Sequence, residues 1–74
     1  MQIWAQKQNP SNFVGEKARA SRKIEQSPLA HSPDVPRGTI GWIQDYDGAE
    51  GLFFVDFGDP YGVVAVVPEE ITLV

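Results

Sequence analysis

The sequence predicts an all-β domain, and two observations lead to this fold class. Three short runs of β-branched and aromatic residues follow one another between positions 38 and 67. Glycine, proline and aspartate cluster between the runs, at 48–51 and again at 58–62. Runs of this kind, closed by turn-forming residues, are typical of an antiparallel meander.

The bulk composition limits the classes of protein to which the chain can belong. Its 74 residues make one small domain, near the lower size at which a hydrophobic core offsets chain entropy. The absence of cysteine excludes a disulfide framework and a thiolate metal site, so we expect a cytoplasmic protein. The longest apolar run, 63–67, is too short to cross a bilayer, and we expect no membrane association.

Charge is divided unevenly along the chain. Residues 1–31 carry five cations and two carboxylates, whereas residues 32–74 carry one cation and eight carboxylates. An acidic surface disfavours phosphate backbones and favours basic protein surfaces. The plainer interpretation, which we prefer, is that the carboxylates keep exposed turns solvated.

The first 37 residues are predicted as an extension, a strand and a loop. Residues 1–13 form an N-terminal extension, in which alternation suits a short strand that Asn9-Pro10-Ser11-Asn12 ends. The next segment, 14–24, fits a half-buried strand, with Val14, Ala18 and Ala20 facing inward. Residues 25–37 contain three prolines and form a long loop, for which Leu29 and Val35 are the expected core anchors.

The meander supplies the second, third and fourth strands. Ile40 and Ile43 are three positions apart, so both can face inward only if a bulge or kink lies between them, which Gly41 would permit. Alternation predicts an interior lined by Phe53, Val55, Phe57, Val63, Ala65 and Val67. Pro68-Glu69-Glu70 predicts a 3₁₀ turn, and Ile71 and Leu73 belong to a last short strand.

Three segments resemble parts of SH3-like small barrels. Gly38-x-x-Gly41-x-Ile43 resembles a KOW-type motif, and the segments 54–57 and 66–71 are similar to the third strand and closing turn of such barrels. The resemblance implies a five-stranded SH3-like small barrel over 14–74, with a long proline-rich first loop and the extension 1–13 outside it. Related barrels serve as ribosomal and transcription-factor modules, as accessory subunits of oxidoreductases and as small regulators.

Two departures from that family limit the functions that the resemblance implies. The loops beside the motif carry Asp45, Asp47, Glu50 and Asp59 where nucleic-acid-binding members carry lysine and arginine. The aromatic and acidic cluster with which signalling SH3 domains grip proline-rich peptides is also absent at matching positions. We therefore do not expect peptide binding of that kind.

No group of residues predicts catalysis. His31, the only histidine, lies in the proline-rich loop with Asp34 as its nearest carboxylate, and we interpret it as a solvated side chain. Asp45, Asp47 and Glu50 imitate a calcium loop only loosely, because the other ligand positions are missing. We expect no enzyme activity, no cofactor, no metal and no small-molecule substrate.

The informative feature is the opposite face of the sheet. If alternation holds, Leu52, Phe54, Val64 and Val66 point outward, with Trp42 beside them. Burying each such side chain is worth roughly 1.5–3 kcal/mol, so we expect a cover. Either Ile3 and Trp4 of the extension, or Leu29 of the loop, folds over the patch, or another chain does so.

We expect a protein partner or self-association, with a different set of residues for each hypothesis. The protein-binding residues are Trp42, Leu52, Phe54, Val64, Val66 and Tyr61, with Asp45 and Asp47 at the rim. A nucleic-acid-binding module would instead use Lys17, Arg19, Arg22, Lys23 and Arg37. Binding of nucleic acid by so few cations should collapse as salt rises, whereas an apolar interface should barely respond. As a third possibility, clustered carboxylates would mimic nucleic acid.

Overall fold

The computed structural model describes residues 9–27, 29 and 31–74 and places them in a five-stranded antiparallel sheet. The strands are β1 (Lys17–Ala20), β2 (Ile40–Asp47), β3 (Leu52–Asp56), β4 (Val63–Val66) and β5 (Ile71–Leu73). Short 3₁₀ helices at Pro10–Phe13 and Pro68–Glu70 precede β1 and β5. The all-β class and the five strands predicted from the sequence are confirmed.

The strand order across the sheet is β4-β3-β2-β1-β5. The consecutive strands β2, β3 and β4 form the predicted meander, joined by turns at 48–51 and 57–62. β1 pairs on one side with β2 and on the other with β5. This arrangement leaves β4 and β5 as the two ends of the sheet.

A bulge in β2 changes which of its side chains face the core. Ile43 lies opposite Val55, but Asp45 lies opposite Phe54, so Gln44 is an extra residue. Ile43 is fully buried, and Tyr46, three positions later, again packs against the core. Because a bulge places two residues opposite one, alternation resumes with the opposite parity beyond it.

The pairing is regular at Gly41, where the sequence would have permitted a bulge or kink. Ile40 is 40% exposed and does not share the inward face with Ile43. Gly41 instead lies opposite Ala18 in regular pairing and is itself buried. A Cβ atom at position 41 would lie 2.7 Å from the backbone oxygen of Asp56 and 2.8 Å from Phe57 Cδ1. Close packing against β3 and Phe57 therefore explains the glycine at this position, and no irregular backbone is involved.

Small residues on β1 complete this close approach. Ala18 and Ala20 are both fully buried, and the residues between them are exposed, which confirms the half-buried first strand. Val14 was expected on the same inward face, but it precedes the strand and is 43% exposed. The inward face of β1 therefore consists of alanines alone, which lets the neighbouring elements pack close to its backbone.

The loop between β1 and β2 has one of its two expected anchors. Val35 is fully buried and pairs with the buried Ile24 through two backbone hydrogen bonds of 2.9 Å. Leu29 was also expected to enter the core, but it is 85% exposed. The bridge between Ile24 and Val35 closes the loop without using Leu29.

An aromatic cluster fills the centre of the core. Phe53 on β3 is fully buried, and its ring meets that of Phe13 edge-on with centroids 6.5 Å apart. The ring of Tyr46 lies 4.8 Å from the same phenylalanine ring. Phe13, the last residue of the predicted extension, is thus part of the core, held by the 3₁₀ helix that Pro10 begins.

The inward face of β4 was predicted with the wrong parity. Val64 and Val66 are buried, whereas Val63 and Ala65 are exposed. Opposite residues of an antiparallel pair share a face, and Val55, which faces inward, lies opposite Val64. The loop at 57–62 sets this register, and the alternation of β3 does not continue through it.

The C-terminal end follows the prediction. The 3₁₀ helix begins at Pro68, and the Glu70 side chain accepts a hydrogen bond of 3.0 Å from the Val67 backbone amide. Ile71 then enters the core as the first residue of β5, and Leu73 packs against the core. The strand predicted within 1–8, with Ile3 and Trp4, lies outside the described residues.

We predict that Gly41→Ala lowers the free energy of unfolding by about 1–3 kcal/mol, because the added methyl group overpacks the β1–β2–β3 contact. Urea denaturation followed by circular dichroism measures the change. Gly48→Ala is the matched control, since its new Cβ would lie 3.7 Å from the nearest atom, on the Tyr46 ring. Equal effects of the two substitutions would contradict the packing role of Gly41.

Candidate docking face

The outward face of the sheet is ordered in rows by the strand register. One row runs Lys17, Trp42, Asp56, Val63 from β1 to β4. The next row runs Asp45, Phe54, Ala65, and Asp47 lies opposite Leu52 beyond it. On the other side of the Trp42 row, Thr72, Arg19 and Ile40 are neighbours. Opposite residues on a sheet are within contact distance, so these rows define one continuous surface.

Apolar side chains occupy the middle of this surface. Trp42 is 55% exposed and Val63 is 53% exposed, while Leu52 and Phe54 are half-buried. We call the following set the outer patch: Ile40, Trp42, Leu52, Phe54, Val63 and Ala65. It extends over β2, β3 and β4, the three strands expected to carry it.

Two of the predicted docking residues are not on the outer patch. Val64 and Val66 lie in the core, so they cannot contact a partner in the folded protein. Their outward neighbours Val63 and Ala65 take their place because of the β3–β4 register. The correction replaces the two predicted valines with one valine and one alanine, and Ile40 joins the patch on β2.

Trp42 is flanked by one charge of each sign. The Lys17 ammonium group lies 5.9 Å from the centroid of the Trp42 ring, within the range of a cation–π contact. Asp56 lies opposite Trp42 on β3, and its carboxylate accepts hydrogen bonds from the Gly58 amide and the Gln44 side chain, at 2.8 and 3.4 Å. Trp42 therefore lies between Lys17 and Asp56 on the outward face, and the residue is more than half exposed.

Carboxylates line the end of the patch near the β2–β3 turn. Asp47 accepts hydrogen bonds from the amides of Ala49 and Glu50, at 3.0 and 3.3 Å, which shapes the turn. Asp45 accepts a hydrogen bond of 2.8 Å from the Tyr46 amide. These side chains have local structural roles, and their carboxylates still give this edge of the patch a negative charge.

Tyr61, the remaining predicted docking residue, lies in the β3–β4 loop. Its side chain is half-buried and packs against the core. Its backbone amide bonds to the Gly58 carbonyl at 2.8 Å, and its own carbonyl accepts a hydrogen bond from the Gln26 side chain. The contacts of Tyr61 therefore explain how the loop is attached to the domain.

The five predicted nucleic-acid-binding cations are not equivalent. Arg22 is 3.9 Å from the Glu70 carboxylate, and Lys23 is 3.7 Å from Asp34. Lys17 lies over Trp42. Arg19 and Arg37 line an open concavity, and within the described part of the chain neither has an ion-pair partner. The structure thus divides the cations between ion pairs, the outer patch and one concavity.

The surroundings of His31 and of the acidic turn do not resemble a catalytic or metal-binding site. His31 is exposed, and Asp34 is engaged by the Gln26 amide and Lys23. Across residues 9–27, 29 and 31–74, no group of three or more histidine, aspartate or glutamate side chains could hold a metal ion. No helix in this same part of the chain is long and apolar enough to cross a membrane.

Sequence reasoning missed Ile40, Val63 and Ala65 as outward residues. The outward orientation of Val63 and Ala65 depends on the number of residues between paired positions in the β3–β4 hairpin. Hydrophobic alternation does not reveal that number. Ile40 would have been placed outward by simple alternation from Ile43 with no bulge between them. Allowing for a bulge at Gly41 obscured this alternation.

Comparison with family models, with curated proteins and with solved structures finds no match to this chain.

We predict that Val66→Ala lowers the free energy of unfolding by about 2 kcal/mol, because it removes buried methyl groups and leaves a cavity. Val63→Ala should change it by less than about 0.5 kcal/mol, since the side chain is exposed. Both substitutions lie on β4, so strand propensity affects them alike. Chemical denaturation measures both, and the reverse order would show that β4 presents its other face.

Proposed function

We propose that the chain is a non-catalytic protein-interaction module, an accessory subunit or small regulator, that docks through the outer patch. The observation that carries the proposal is a set of outward apolar side chains on β2, β3 and β4, among which Trp42 is more than half exposed. Exposed aromatic side chains set among apolar neighbours are the usual anchors of protein interfaces.

We also propose that the sheet is that of an SH3-like small barrel. The support is its connectivity: β1 lies between β2 and β5, a long loop separates β1 from β2, and a 3₁₀ helix comes directly before β5. The KOW-type resemblance and the cytoplasmic location remain predictions from sequence. Since one such fold hosts many functions, the proposed activity depends on the patch and its charges.

The occupant that fits the patch best is a different protein, whose apolar contact surface is bordered by lysine or arginine. Asp45 and Asp47 lie on the outward face at the end of the patch near the β2–β3 turn, and Asp56 lies within the patch between Trp42 and Val63. Opposite charges at the margin of an interface speed association and exclude wrong partners. A second copy would bring the same acidic rim with it, which makes a basic partner the better match.

Nucleic-acid binding is the weaker alternative. Two of the five cations that it requires, Arg22 and Lys23, are within 4 Å of carboxylates of the same chain. Three cations remain, which supports few phosphate contacts. Mimicry of nucleic acid is weaker still, because Asp47 and Asp56 hold different turns and Asp34 lies in the β1–β2 loop.

We predict that Trp42→Ala weakens binding to the partner about thirtyfold or more, as for an anchor residue whose loss costs about 2 kcal/mol. A photo-crosslinking residue in place of Val63, in cells that express the chain, should yield one protein adduct that Trp42→Ala abolishes. Calorimetric titration with that protein, once purified, then measures the affinity. Moderate salt should change this affinity far less than Trp42→Ala does.

Two controls separate docking from chance capture. The same crosslinker in place of Glu25, in the β1–β2 loop, should give no such adduct, and Arg22→Gln should leave the affinity within about twofold. An adduct of two copies of this chain would overturn the proposed occupant. An adduct to nucleic acid, or an affinity that Trp42→Ala leaves unchanged, would overturn the docking face itself.

A further inference from the structure

A concavity beside β1 is lined by polar and basic groups. Its walls are Arg19 and Ala20 of β1, Ser21 directly after it, Arg37 and Gly38 before β2, and Thr72 of β5. Two arginines and two hydroxyl-bearing residues thus line one space, with no aspartate or glutamate among the lining residues. The concavity adjoins the outer patch, because Arg19 lies opposite Ile40, but none of its lining residues belongs to the patch.

The two arginines at this concavity have charges that the rest of the described chain does not neutralise. The ion pairs in that part of the protein are those of Arg22 with Glu70 and of Lys23 with Asp34. The Glu70 carboxylate contacts Arg22 and accepts a hydrogen bond from the Val67 amide. It is therefore engaged by groups other than Arg19 and Arg37. Two exposed guanidinium groups on one concave surface attract an anion.

Backbone hydrogen bonds fix the walls of the concavity. The Gly38 amide donates to the Ala20 carbonyl at 2.8 Å, and the Ala20 amide donates to the Thr39 carbonyl at 2.9 Å. On the other side, the amide and hydroxyl of Ser21 donate to the carbonyls of Glu70 and Glu69, each at 2.8 Å. Both edges are therefore held in place before any ligand arrives, which reduces the entropy lost on binding.

Gly38 is the lining residue at the turn before β2. It has a φ of 91°, a conformation that favours glycine, and a Cβ atom at its position would meet nothing within 4 Å. The backbone beside the concavity is therefore not covered by neighbouring atoms at this turn.

We propose that this concavity binds the dianionic phosphate of a phosphate monoester, with Arg19 and Arg37 as its charged ligands and Thr72 as a hydroxyl donor. Guanidinium groups match phosphate oxygens with paired hydrogen bonds, and two of them neutralise a dianion. A phosphodiester and a carboxylate each carry only one negative charge, so both should bind less well than a dianion. This inference does not depend on the proposed protein docking.

The experiment is an NMR titration of the ¹⁵N-labelled full chain with inorganic phosphate at constant ionic strength. We expect saturable shifts confined to the amides of residues 19–21, 37–39 and 72. O-phosphoserine should give the same pattern, whereas dimethyl phosphate and acetate should bind at least about tenfold more weakly. Equal binding of dimethyl phosphate would overturn the choice of a dianion and favour a nucleic-acid backbone.

Variants assign the binding to the two arginines. Arg19→Gln and Arg37→Gln should each weaken phosphate binding about tenfold, the usual order for a lost charge-assisted contact. Arg22→Gln, which removes a cation paired with Glu70, should leave it within about twofold. Shifts spread over the whole surface, or equal losses in all three variants, would show non-specific screening and overturn the site. Unchanged shifts elsewhere verify that each variant folds.

Discussion

The register of β3 with its two neighbours is the constraint on which the rest of the structure depends. Opposite residues of paired strands share a face, so fixing Phe53 and Val55 inward fixes their partners on β2 and β4 as well. The bulge at Gln44 and the six-residue β3–β4 loop adjust that register on either side. The same strand pairings therefore determine which side chains form the core and which form the outer patch. A change of register would alter both sets together.

Features encoded by local chemistry could be predicted from the sequence, and features encoded by pairing could not. Alternating alanines on β1, aromatic alternation on β3 and the proline that begins the last 3₁₀ helix each act within a few residues. The parity of β4 depends on how its hairpin loop pairs, and the buried role of Gly41 depends on two other strands. The exposure of Leu29 shows that an apolar residue in a loop need not be an anchor.

The residues of the candidate site likewise divide into those that a local pattern predicts and those that strand pairing determines. Trp42 and Phe54 were placed on the outward face because each lies on a strand whose alternation is intact nearby. Val63 and Ala65 replaced the predicted valines because an error of one residue exchanges the two faces. The concavity beside β1 joins three separate segments of the chain, and its two arginines are 18 positions apart in sequence. No local pattern could have brought them together.

The hydrogen bond from the Val67 amide to the Glu70 carboxylate has a consequence for solubility. Among the described strands β4 ends the sheet, and a terminal strand exposes backbone groups with which other chains can pair. The Glu70 carboxylate accepts a hydrogen bond from the first amide after that strand and places a negative charge there. Charged groups beside a terminal strand oppose such pairing, so the closing 3₁₀ helix contributes to keeping the sheet from aggregating.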